Sequence, residues 1–235
     1  DGDGRADIAV WRDEPSNPNK ANFYILQSST NTLRVEQFGR TGDLPTVVGD
    51  WDGDGKDDPA VYREGTSGGQ SHLYYRPSSA PGTDYIVITW GTTGDKPVHG
   101  DFDGDGKLDA AVFRPSNSTW YILKSSNLQT QYVKWGLATD QLVPADFDGD
   151  QKTDVAVYRN GIWYIDQSSN GQLRAQSFGL AGDSLVPADY DGDGKADLAV
   201  VRNSIWYINQ SAGAMMYAKF GATGDLAVPH SYIAP

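Results

Sequence analysis

Asp50-Trp51-Asp52-Gly53-Asp54-Gly55-Lys56-Asp57-Asp58 is one copy of a nine-residue pattern that the chain repeats. It returns as Asp101-Phe102-Asp103-Gly104-Asp105-Gly106-Lys107-Leu108-Asp109, as Asp146-Phe147-Asp148-Gly149-Asp150-Gln151-Lys152-Thr153-Asp154 and as Asp189-Tyr190-Asp191-Gly192-Asp193-Gly194-Lys195-Ala196-Asp197. Asp1-Gly2-Asp3-Gly4-Arg5-Ala6-Asp7 is a further copy without its first two residues. Equivalent aspartates stand at 1, 52, 103, 148 and 191, a period of 43 to 51 residues. That is the size of a propeller blade, and it excludes a coiled-coil heptad or a nonapeptide β-helix.

Between the aspartate loops the chain carries short aromatic and β-branched runs bounded by Gly, Asp, Asn and Ser, which read as strands. In the last full unit they fall at 185–190, 197–202, 205–209 and 215–221. Four strands per unit predict an all-β fold, a five-bladed β-propeller of four-stranded antiparallel blades forming one domain over 1–235. Val228-Pro229-His230-Ser231-Tyr232 aligns with Val186-Pro187-Ala188-Asp189-Tyr190. The carboxyl-terminal strand is therefore expected to complete the blade that the amino end opens, removing exposed sheet edges. The alternative is a run of consecutive blades from a larger ring, and the chain reads as a fragment of a longer protein.

Composition narrows the function. Of 235 residues, 38% are hydrophobic and 11% aromatic, enough for a packed core. Nineteen Lys and Arg against 31 Asp and Glu give a net charge of −12, which repels phosphate backbones and anionic membranes, so no nucleic-acid partner is expected. Cysteine is absent, excluding disulfides, thiolate metal sites and a cysteine nucleophile. No apolar run approaches the ~18 residues of a membrane span, so no membrane insertion is expected. A monomer is the expected state.

The aspartates carry the chemistry. Carboxylates at alternating positions of a tight loop supply the oxygen-only shell that Ca²⁺ prefers. The candidate ligands are Asp50, Asp52, Asp54, Lys56 and Asp58; Asp101, Asp103, Asp105, Lys107 and Asp109; Asp146, Asp148, Asp150, Lys152 and Asp154; and Asp189, Asp191, Asp193, Lys195 and Asp197. Each lysine would contribute its backbone carbonyl, with the side chain in solvent, and the final aspartate would close the shell. In the amino-terminal copy Asp1, Asp3, Arg5 and Asp7 take these places, with Ser231 as the first ligand. The plainer alternative is an Asp/Gly turn without metal. Repetition in phase favours calcium, about four to five ions with one per blade, since unpaired carboxylates so close repel one another. Gln151 stands where the other complete copies have glycine, and it weakens its site if that position needs a positive φ.

With Phe38-Gly39, Trp90-Gly91, Trp135-Gly136, Phe178-Gly179 and Phe220-Gly221 added, the units resemble FG-GAP/VCBS repeats, as in integrin α-chain propellers, some fungal lectins and bacterial secreted proteins. Ala-Val-aromatic-Arg follows four of the loops, whereas the last unit has Val201 in the aromatic place. The resemblance implies a calcium-stabilised propeller used mostly for binding. It names no ligand.

The remaining features read as scaffold. Trp120-Tyr121-Ile122, Trp163-Tyr164-Ile165 and Trp206-Tyr207-Ile208 are expected in the core rather than as sugar platforms. Arg12, Arg63, Arg114, Arg159 and Arg202 are expected to pair with Asp225, Asp43, Asp95, Asp140 and Asp183 at the end of the second strand away from the aspartate loops, with an anion-binding ring as the alternative. Recurring Ser-Ser pairs such as Ser125-Ser126 read as turn formers, and His72, His99 and His230 occupy unrelated repeat positions, so no catalytic residue is assigned. The leading expectation is a noncatalytic calcium-binding domain of an extracellular or cell-surface protein, acting in binding, adhesion or as a scaffold for a protein or glycan ligand. A lectin is the alternative, and a polysaccharide-acting enzyme comes third. The long connections 13–22 and 64–72 read first as tolerated insertions, since surface loops lengthen cheaply, and they are also the first place to test for a partner surface.

Overall fold

The computed structural model describes residues 8–80 and 82–220. These residues form strands, turns and bends with no helix among them, in five antiparallel sheets. The first is β1 (Ile8–Asp13), β2 (Ala21–Leu26) and β3 (Leu33–Gln37), and the second is β4 (Ala60–Arg63), β5 (Gln70–Tyr75) and β6 (Ile86–Thr92). The third has β7 (Lys96–Gly100), β8 (Asp109–Arg114), β9 (Thr119–Leu123) and β10 (Thr130–Lys134) side by side. The fourth has β11 (Gln141–Leu142), β12 (Val155–Arg159), β13 (Ile162–Asp166) and β14 (Leu173–Ser177). The fifth has β15 (Ser184–Leu185), β16 (Leu198–Arg202), β17 (Ile205–Asn209) and β18 (Met215–Lys219). Each sheet is a propeller blade of three or four strands in sequence order. The expected closing strand at the carboxyl end lies outside the described residues.

The expected first strand, 185–190, is shorter than its sequence suggests, because Pro187 has no N–H to give the ladder. Pairing continues past it through Val186 N–H to the Ala199 carbonyl, at 3.0 Å, and the Ala188 to Asp197 bridge. In the fourth blade Val143 and Ala145 do the same around Pro144. The second blade keeps only bridges from Leu44 to Tyr62 and from Gly49 to Asp58 in this place.

The core lies between neighbouring blades, which explains why the strands are apolar on both faces. The chain divides into two compact units, which meet along the sequence within the third blade. In the first unit Phe23 and Phe38 pack on Val61 of the next blade, while Val47, Trp51, Tyr62 and Leu73 pack on Ala110 and Val112. In the second unit Phe147, Tyr158, Trp163 and Ile165 pack on Ala196, Leu198 and Val200. Trp120, Ile122, Trp163 and Ile165 are fully buried, as core residues should be. The tyrosines between them, Tyr121 and Tyr164, face the other way and lie half-buried beneath Arg114 and Arg159, whose guanidinium carbons stand 4.2 and 4.9 Å from the ring centres.

Those arginines end the second strand of each blade, and each reaches back to the aspartate before the first strand. Arg159 Nε and Nη2 donate to Asp140 at 2.7 and 2.6 Å. Arg63 with Asp43, Arg114 with Asp95 and Arg202 with Asp183 repeat the two-pronged geometry. Arg12 stacks on Tyr24, while its expected partner Asp225 lies outside the described residues. The second carboxylate oxygen of each aspartate also accepts the backbone N–H after the aromatic-Gly pair, as from Leu180 to Asp183 at 2.7 Å. Burial alone would raise the Asp183 carboxyl, but the Arg202 and Leu180 hydrogen bonds outweigh it and hold it below the usual range.

The glycine of that pair sits where the turn meets the next blade. Gly179 has φ +91, and a Cβ there would stand 2.9 Å from Tyr158 Oη and 3.0 Å from Val200 Cγ1. Gly91 and Gly136 face Val112 and Val157 in the same way.

The connections expected over 13–22 and 64–72 are shorter than the sequence suggests, because β1 runs to Asp13, β2 starts at Ala21 and β5 starts at Gln70. The second is laced to the following turn, with Gly94 N–H on Glu64 Oε1 and Thr93 Oγ1 on the Gly65 carbonyl, both at 2.7 Å.

Gly179 and Gly182 share φ +91, but nothing lies within 4 Å of a Cβ on Gly182. Urea unfolding should therefore separate them: Gly182→Ala should cost about 1–2 kcal/mol from backbone strain, and Gly179→Ala about 1–3 kcal/mol more from overpacking. Equal midpoints for the two variants would refute the packing role of Gly179.

Candidate metal centres

Each aspartate loop enters from the first strand and ends at the aspartate that opens the second. Backbone amides shape it. In the loop 146–154, Asp146 accepts Gly149 N–H at 2.6 Å and Gln151 N–H at 2.8 Å, and Asp150 accepts Lys152 N–H at 2.9 Å. Asp154 accepts Phe147 N–H at 2.9 Å across the neck of the loop. The loop 50–58 repeats this, with Gly53 and Gly55 on Asp50, Lys56 on Asp54 and Trp51 on Asp58. So does 189–197, with Gly192 and Gly194 on Asp189, Lys195 on Asp193 and Tyr190 on Asp197. Gln151 adopts φ +67 where Gly55 and Gly194 have +82, so the substitution keeps the loop geometry under strain.

This folding gathers three carboxylates per loop. Asp50, Asp52 and Asp58 each place an oxygen within 4.8 Å of the others, and so do Asp101, Asp103 and Asp109; Asp146, Asp148 and Asp154; and Asp189, Asp191 and Asp197. Asp54, Asp105, Asp150 and Asp193, also candidate ligands, stand outside these groups and receive serine hydroxyls from Ser78, Ser125, Ser168 and Ser211. The lysine side chains, expected in solvent, run their stems over the preceding loop: Lys107 over Gly53, Lys152 over Gly104 and Lys195 over Gly149. A glycine leaves room for the apolar stem. Asp1, Asp3, Arg5 and Asp7 of the split copy lie outside the described residues.

The serines are the participants that the sequence reading missed. Ser168 N–H donates to Asp154 Oδ1 at 2.7 Å, and Ser169 Oγ donates to Asp148 Oδ2 at 2.7 Å. Ser78 and Ser79 do the same for Asp58 and Asp52, and Ser125 and Ser211 N–H reach Asp109 and Asp197. Their signal was visible, since a Ser-Ser pair or Ser211 recurs once per unit before the fourth strand.

The electrostatics fit a cation. Burial pushes the Asp58 carboxyl up to about 6, with Asp52 and Asp50 adding and the Ser78 and Trp51 amides opposing. Burial likewise raises Asp154 to about 6. Asp148 Oδ1 is buried with no hydrogen-bond partner, a state that an ion would relieve. Every donor in the triads is a carboxylate oxygen, the chemistry of a hard cation such as Ca²⁺.

Residues 101–157 and 146–200 match the family described as FG-GAP-like repeat. Among solved structures, BBS1N in complex with ARL6DN, soaked with mercury, is 15% identical, covering 88% of this chain and 70% of that one with a TM-score of 0.43. The same complex soaked with lead is 14% identical, covering 84% and 63% with a TM-score of 0.39. No curated protein matches the chain. The FG-GAP-like repeats matched over 101–200, together with the five sheets and the in-phase aspartate loops, support an FG-GAP-repeat β-propeller.

Proposed function

We propose that this chain is a noncatalytic, calcium-binding β-propeller that serves as a binding or scaffold domain of an extracellular protein. The observation carrying the proposal is the four all-oxygen triads, placed identically at the start of successive second strands. Calcium would be held by Asp50, Asp52 and Asp58 and their counterparts, and its charge would neutralise carboxylates that otherwise repel at close range. Loops of this kind suit the near-millimolar calcium outside cells. No helix among the described residues is long and apolar enough to cross a membrane.

A noncatalytic role agrees with how the candidate nucleophiles are used. Ser168 and Ser169 hold aspartates rather than meeting a histidine. His72 contacts Thr89 at 3.1 Å and pairs with Arg63, at the end of β4 away from its aspartate loop.

Calcium titration of the metal-free chain should show a raised melting midpoint, since each site contributes about 2.7 kcal/mol at a hundredfold excess over its Kd. Identical melting curves in chelator and in millimolar calcium would sink the proposal. Asp148→Asn should remove one binding equivalent from the isotherm, and a full complement in that variant would exclude Asp148 as a ligand. Gln151→Gly should raise both calcium affinity and the midpoint, by about 1 kcal/mol, through relief of positive-φ strain. A lowered midpoint there would place the strain elsewhere.

A further inference from the structure

We propose that the cavity between the first two blades binds a small oxyanion, a carboxylate or sulfate group, on the guanidiniums of Arg34 and Arg76. The cavity holds about 460 Å³, within the range of small-molecule sites. Its walls include Arg34, Glu36 and Gln37 from β3, and Arg76, Pro77 and Ser78 from the segment after β5.

Charge is the first argument. Glu36 is buried, and its two oxygens are taken by different arginines, Oε2 by Arg34 and Oε1 by Arg76 at 3.1 Å. One carboxylate between two guanidiniums leaves a net positive charge on the wall of a cavity, in a chain whose total is −12. Each guanidinium has five N–H donors in a fixed fork, more than one shared carboxylate can use. The side chains of Arg34 and Arg76 remain 43% and 30% exposed, so both are reachable from solvent.

Rigidity is the second. Arg76 donates its backbone N–H to the Pro59 carbonyl at 3.0 Å, and its guanidinium carbon sits 5.1 Å from the centre of the Phe38 ring. The next wall residue but one, Ser78, is pinned by its N–H to Asp58 at 2.6 Å and by its hydroxyl to Asp54 at 2.8 Å. A donor pair held before the ligand arrives loses little entropy on binding.

The third is singularity. The other blades connect their last two strands over 27–32, 124–129, 167–172 and 210–214, whereas the second blade uses 76–85. Gln27, Lys124, Gln167 and Gln210 stand at the place of Arg76. Among the described blades, a guanidinium at this place and an extended wall coincide here alone.

The test is titration of the whole chain, in calcium, with sodium glucuronate, with sodium sulfate and with glucose as the neutral comparator, read by calorimetry or by chemical shifts. Saturable binding of glucuronate alone assigns a carboxylate ligand, of sulfate alone a sulfate ligand, and of both an oxyanion site indifferent to shape. Arg34→Gln and Arg76→Gln should each weaken binding about tenfold or more. Glu36→Gln, which removes the competing carboxylate, should strengthen it. If Arg76→Gln fails to fold, Arg34→Gln carries the test, because its side chain is the more exposed. No saturation by either anion, equal binding of glucose, or unchanged affinity in Arg34→Gln would overturn the proposal.

Discussion

The buried aspartate that opens the second strand is the constraint on which the rest of each blade depends. Asp58, Asp109, Asp154 and Asp197 are almost wholly removed from solvent, and each is fixed on more than one side. Asp154 closes the neck of its loop through Phe147 N–H, receives Ser168 N–H from the turn before the fourth strand, and bridges to Ala145 of the first strand. One residue therefore ties these segments at one end of the blade, its carboxylate holding the loop neck and the turn before the fourth strand and its backbone N–H holding Ala145. Burial of a carboxylate is costly unless its charge is matched, and the residue that organises the blade also belongs to a triad that could hold a cation.

At the other end of the second strand the arrangement inverts. There the charge is already matched within the chain, by Arg63, Arg114, Arg159 and Arg202 on their aspartates. The blade is thus clamped at both ends of one strand, by an internal ion pair at one and by the aspartate loop at the other. The apolar middle, Trp120 and Ile122 or Trp163 and Ile165, packs between them.

Much of this was legible because it repeats. The period announced blades, the in-phase aspartates announced the loops, and the Arg and Asp positions announced their pairing. What was not legible depends on segments meeting from a distance. The turn carrying Ser168 and Ser169 lies far along the chain from the loop, and it reaches Asp150 as well as the triad members Asp154 and Asp148. The packing of lysine stems on glycines was not legible because the glycine belongs to a different repeat, as with Lys195 and Gly149. The lengths of the connections were overread because strand ends such as Ala21 and Gln70 carry no strong local signal.

The loops also join one another. Leu108 N–H donates to the Asp50 carbonyl, Thr153 N–H to that of Asp101, and Ala196 N–H to that of Asp146. The donors share no side-chain character, since the main chain makes the link. A coupling written in the backbone is indifferent to sequence drift, so a copied repeat arrives already compatible with its neighbour. Tandem duplication can thus lengthen or shorten such an array by whole units without inventing a matched pair of residues at the new junction.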